Sequence, residues 1–178
     1  REDITPLPGD DAALLTTGGI QQVLSTDHLR AVTEDPVVMT RIAAVHALGD
    51  IWAMGAEPQA ATANLILPKL SPELQARTLT EIMTAAAGVM REAGAEIAGG
   101  HTSVGDELTI GFTVTGLCPR PPITLAGARP GDALILTKPI GSGVIMAGEM
   151  AGAAEGAWAA AALGLMCRPQ AAASRILR

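Results

Sequence analysis

The sequence predicts an α/β protein, and three features carry that expectation. Residues 107–117, "ELTIGFTVTGL", alternate cleanly. Leu108, Ile110, Phe112 and Val114 fall on one side; Thr109, Gly111, Thr113 and Thr115 fall on the other. That is the pattern of a strand with one buried face. Asp35-Pro36 opens an apolar run that reads as a helix to about Met54, with Asp as N-cap and Pro at the first helical position. Ser71-Pro72-Glu73 opens a second helix, in which Leu79, Ile82, Met83, Ala86, Val89 and Met90 recur with helical period.

The elements follow in order. Residues 1–9, with two prolines and a glycine, read as loop. "DDAALLTTGGIQQVLSTD" reads as a strand, a Gly-Gly turn and a second strand. Gly55 and Gly94 are natural stops for the two helices. Residues 59–67 are apolar and strand-like, ending at Pro68. "AEIAGGHTS" reads as a short strand ending in a Gly-rich turn. "CPRPPITLAGARPGD" is rich in Pro and Gly and is the expected domain boundary. Residues 1–118 are therefore expected to form an N-terminal domain, and 119–178 a linker and the incomplete start of a second. After the boundary, "ALILTKP" reads as a strand and residues 142–177 as mostly Ala-rich helix.

Composition narrows the function. The chain has 178 residues, 48% hydrophobic and 17% charged, enough to bury a core and unlike a disordered chain. Net charge is −6 without a basic stripe, and the chain holds two Trp, one Phe and no Tyr. Nucleic acid is a poor partner for such a surface. An acidic protein can still hold nucleotides through bridging metal ions. No apolar run approaches the roughly twenty residues of a membrane span, and no signal-peptide pattern opens the chain. Cys118 and Cys167 match no C-x-x-C spacing and read as packed, reduced thiols of a cytoplasmic protein; a disulfide or a catalytic role is the alternative. The chain starts at Arg1 rather than Met and reads as a piece of a longer polypeptide.

Carboxylates at three places stand out. Asp10 and Asp11 follow Pro8-Gly9 at a strand start, where one could hold a metal and the other a backbone or ligand donor; a turn-forming pair is the alternative. Asp27 closes the apolar "VLST" strand, a common place for a functional group in α/β proteins, with an N-cap or Asx-turn as the alternative. Asp50 interrupts a helix that is apolar nearly all round. A buried ionised carboxylate costs several kcal/mol unless paired or metal-bound. Pairing with His46 or Arg41 is one solution; metal ligation is the other. Hard cations such as Mg²⁺ take carboxylates together with phosphates and water. The three histidines show no zinc spacing. Gly99-Gly100-His101-Thr102-Ser103 could bring backbone amides close to an anion, or form a plain turn. "GSG" at 141–143 fails as a dinucleotide fingerprint, and neither a P-loop nor a G-x-S-x-G elbow occurs.

Together, "GDDAALL", "STD", "RIAAVHALGDIWAMGAEP", "AGGHTS", "FTVTGL" and "GDALILTKPIGSGV" resemble selenophosphate synthetase (selenide, water dikinase) in order and spacing. That enzyme belongs to the ATP-binding superfamily of aminoimidazole ribonucleotide synthetase, a hydrogenase-maturation protein and thiamine monophosphate kinase. The resemblance implies a mixed sheet with helices on one face, a dimeric β-barrel core, and the truncated start of a second α/β domain. It implies a homodimer that takes ATP, Mg²⁺ and selenide and forms selenophosphate, AMP and phosphate. Asp11, Asp27 and Asp50 match the metal and phosphate carboxylates. Gly9 and Asp10 match a nucleotide-contacting turn. Gly100, His101 and Thr102 match a nucleotide contact supplied across the dimer. The family's catalytic Cys (or selenocysteine) and Lys lie upstream of "GDDAA", and a further metal-binding Asp lies downstream of residue 178. The expectation is thus a fragment that keeps the Mg²⁺–ATP frame but does not turn over. Position 46 is His where relatives often carry Asn. Some relatives are fused behind a flavoprotein oxidoreductase, which a mid-chain start would suit. Thiamine monophosphate kinase is the runner-up, though it usually reads Gly-Gly-Asp where this chain has Gly-Gly-His. A non-catalytic dimerising scaffold is the alternative of another class.

Overall fold

A computed structural model describes all residues, 1–178. Six strands form one mixed sheet: β1 (Ile4–Thr5), β2 (Ala13–Thr17), β3 (Ile20–Arg30), β4 (Glu57–Pro68), β5 (Glu96–Gly105) and β6 (Thr109–Leu117). Their spatial order is β1-β2-β3-β6-β4-β5. Only β4 and β5 pair in parallel, joined by the crossover helix α2 (Pro72–Ala93). The Gly18-Gly19 turn joins β2 to β3 as a hairpin, as its sequence predicts.

Helix α1 (Pro36–Ala53) starts where Asp35 Oδ1 accepts from the amides of Val37 (2.8 Å) and Val38 (3.0 Å). Ser71 Oγ caps α2, and Gly94 ends it in the left-handed conformation. Both helices cover the same face of the sheet. Alternation fixes that face: Ala61, Ala63, Leu65 and Leu67 of β4 are buried, while Thr62 and Asn64 between them are exposed. Ile110, Phe112 and Val114 of β6 meet Leu48, Ile51, Ile82 and Met90 in one core. The opposite face, with Thr26, His28, Asn64 and Thr113, has no helix over it.

Several expectations fail. Residues 1–9 are not wholly loop, since Ile4 and Thr5 pair with Leu15 and Leu14 as the edge strand β1. Residues 99–103 form no turn: Gly99 and Gly100 lie inside β5, which continues to Gly105. The reason is packing. A Cβ on Gly100 would collide with the Ala63 carbonyl oxygen, so glycine serves close approach beside the register shift at Ala61/Thr62. Nor is "ALILTKP" a strand. Residues 119–178 contain only a short 3₁₀ turn (Leu125–Gly127) and helices α3 (Ser142–Met150), α4 (Gly156–Met166) and α5 (Ala171–Leu177). Leu134 is 100% exposed and Leu136 68%. The segment has strand composition, but no neighbouring edge offers it a hydrogen-bond ladder. No helix is long and apolar enough to cross a membrane.

Candidate functional site

The carboxylates of interest gather where β3 passes beneath α1. Side chains alternate along β3, so Val23, Ser25, Asp27 and Leu29 share the helix-covered face. On α1, Ile42, His46, Gly49, Asp50 and Ala53 recur at helical spacing and line one cavity of about 660 Å³. Asp11 lines it too, from the bend before β2. Asp27 is not at the strand end: β3 continues to Arg30.

Asp50 is held rather than paired with a cation. Ser25 Oγ donates to its Oδ2 at 2.5 Å. Its pKa is nonetheless pushed up from 3.8 to about 6. Burial is the largest cause, and the charges of Asp27 and Asp11 add to it, against the lowering effect of the Ser25 hydroxyl. The expected partners are elsewhere. His46 Nε2 lies 3.6 Å from Asp27 Oδ2 rather than against Asp50. Arg41 lines a separate groove against α2. Ser25 is a site residue that sequence reasoning misses. Its signal is present all the same: two residues before Asp27 on a strand means the same face.

Three acidic side chains, two of which raise the proton affinity of the third, form an electrostatic setting suited to a hard cation. They do not make a closed metal cage: no group of three His, Cys, Asp or Glu side chains stands at ligating distance. Mg²⁺ needs no such cage, since it is usually bound by one or two carboxylates and completed by phosphate and water. The donor set present fits that mode.

The other candidate residues divide. Gly9 takes φ +94° in the turn before the cluster. Asp10 is occupied: its Oδ1 accepts from the Leu125 amide at 2.7 Å, tying the linker to the turn. Gly100, His101 and Thr102 stand on the outer strand β5, exposed. Gly100 shares a register row with Asp27 through Ala63 and Phe112. Three strand spacings, about 14 Å, separate the two. One chain therefore does not bring this trio to the carboxylates.

Such a sheet, with an acidic cluster beside a cavity, defines a class that comparison makes specific. Residues 9–118 match the family AIR synthase related protein, N-terminal domain, and the chain belongs to that family. Within it, the chain is similar to selenide, water dikinases. It is 42% identical over 139 residues to that of Nitratidesulfovibrio vulgaris (strain DSM 19637 / Miyazaki F), covering 76% of this chain and 39% of the relative. It is 38% identical over 180 residues to that of Trichlorobacter lovleyi, covering 98% of this chain and 51% of the relative. The chain thus spans about half the length, or less, of these curated relatives. Among solved structures, a thiamine-monophosphate kinase from Stenotrophomonas maltophilia K279a aligns with TM-score 0.62, at 21% identity, over 98% of this chain and 58% of that one. At that identity the likeness is one of fold.

Proposed function

We propose that the chain is the Mg²⁺–ATP-binding part of a selenophosphate synthetase, which converts selenide, ATP and water to selenophosphate, AMP and phosphate. One observation carries the reading: Asp50, half-buried and raised toward neutral pH by burial and by Asp27 and Asp11, faces a cavity large enough for a ligand. Asp50, Asp27 and Asp11 would hold Mg²⁺. Bound there, the ion supplies charge neutralisation to the phosphates. The chain's own residues do the rest. Ser25 fixes the Asp50 carboxylate, His46 faces Asp27, and the Gly9 turn sets Asp11 at the cavity.

The selenide, water dikinase relatives support the substrate pair. The uncovered sheet face supports a homodimer, in which Gly100, His101 and Thr102 of one subunit reach the other's nucleotide. A domain boundary after residue 118 belongs to the same proposal, and the end of β6 at Leu117 favours it. So does a cytoplasmic location for an ATP-consuming enzyme.

The test is selenide-dependent AMP formation by a polypeptide of the relatives' length that carries this chain, with and without Asp50→Asn. AMP formation that depends on selenide and vanishes in the variant supports the proposal. Phosphorylation of thiamine monophosphate without a selenide response would replace it with the kinase reading.

A further inference from the structure

The cavity beside Asp50 has two walls of opposite character. The α1 side carries His46 and Asp50, with Asp11 at its margin. The facing side comes from residues 138–166 and carries Lys138, Ser142, Trp158 and Met166. Lys138 is half-buried, and no ion pair of the molecule includes it. Its Nζ donates to the Arg168 carbonyl at 3.1 Å. An ammonium has three donors, so two remain. Burial, and after it the Arg168 charge, lower its pKa, against a raising effect of Cys167. The carboxylates and this ammonium line one cavity without neutralising each other.

A ligand that satisfies both walls must carry a cation for the aspartates and anionic oxygens for the lysine. A metal-bound polyphosphate does both. We propose that Lys138 is a phosphate-binding residue, donating across the cavity to an oxygen of the nucleotide whose Mg²⁺ is held by Asp50 and its neighbours. This inference rests on the Mg²⁺–ATP reading above. The competing role is structural: Lys138 also holds the carbonyl of Arg168, just past the C-cap of α4.

Calorimetry on the 178-residue protein separates the roles. The titrants are Mg²⁺–ATP and adenosine, against wild type, Lys138→Met, Lys138→Arg and Asp50→Asn. A charge-assisted contact predicts that Lys138→Met weakens Mg²⁺–ATP about tenfold or more, leaves adenosine unchanged, and is largely restored by Lys138→Arg. A purely structural lysine would lower the melting temperature and leave the Mg²⁺–ATP affinity equal to wild type, which overturns the proposal. If Asp50→Asn abolishes Mg²⁺–ATP binding while Lys138→Met does not weaken it, the metal reading stands and the lysine assignment falls. If wild type itself shows no Mg²⁺-dependent ATP binding, both fall.

Discussion

Replacing Asp50 by Asn should make the metal-free protein more stable and its Mg²⁺–ATP complex less so. The carboxyl rises from 3.8 to about 6 on folding. At 1.36 kcal/mol per pKa unit, full conversion is about 3 kcal/mol of cost to the ionised group at neutral pH. Asp50 is only half-buried, so solvent screening reduces this to about 1–2 kcal/mol. Asn keeps an acceptor for the Ser25 hydroxyl and carries no charge. For a chain of this size the gain corresponds to roughly 3–6 °C in Tm. Thermal unfolding at pH 7 in EDTA should therefore place the variant above wild type. With saturating Mg²⁺–ATP the order should reverse, because a ligand at a hundredfold its Kd adds about 2.7 kcal/mol to wild type only. The reasoning is refuted if the Asp50→Asn substitution lowers the metal-free Tm, or if both proteins gain equally from Mg²⁺–ATP.

Further expectations concern pH, packing and the linker. A raised folded pKa means that the contribution of Asp50 is favourable below about 3.8 and is lost as pH rises through about 6. The Tm gap between Asp50→Asn and wild type should thus narrow as metal-free samples are taken from pH 7 toward pH 4, and a gap that widens would contradict the assignment. Gly100→Ala drives a Cβ into the backbone of β4 at Ala63 and should cost about 1–3 kcal/mol in denaturant unfolding. No loss would mean the two strands separate freely there. Asp35→Ala removes the cap of α1 and should cost about 1 kcal/mol in the same assay. Asp10→Ala frees the Leu125 amide and should speed chymotryptic cleavage after Leu125, whereas an unchanged rate would show the tether is idle.

The local elements were legible because each has a chemical marker. Asp35-Pro36 and Ser71-Pro72 cap helices by side-chain acceptance and fixed proline geometry, and both do so in the structure. The alternation of β6 reads directly into a buried row of Ile110, Phe112 and Val114. The misreadings have a common cause, which is dependence on neighbours. Gly99-Gly100 has the composition of a turn, but glycine also permits close strand contact, and sequence does not say which. "ALILTKP" has strand composition, yet a strand exists only where another edge accepts its hydrogen bonds. Asp50 is recognisable as a misplaced carboxylate. That Ser25 holds it and His46 turns to Asp27 depends on how β3 passes under α1. The place of Lys138 opposite the carboxylates, far from them in sequence, depends on the third dimension altogether.

The central claim is that Asp50, with Asp27 and Asp11, binds the divalent ion of a metal–nucleotide complex. Electron paramagnetic resonance with Mn²⁺ in place of Mg²⁺ tests it most directly. Titrating Mn²⁺ and ATP into the protein should yield a protein-bound Mn²⁺ signal that Asp50→Asn and Asp27→Asn each remove while the variants stay folded. Equal Mn²⁺ uptake by wild type and both variants would contradict the claim.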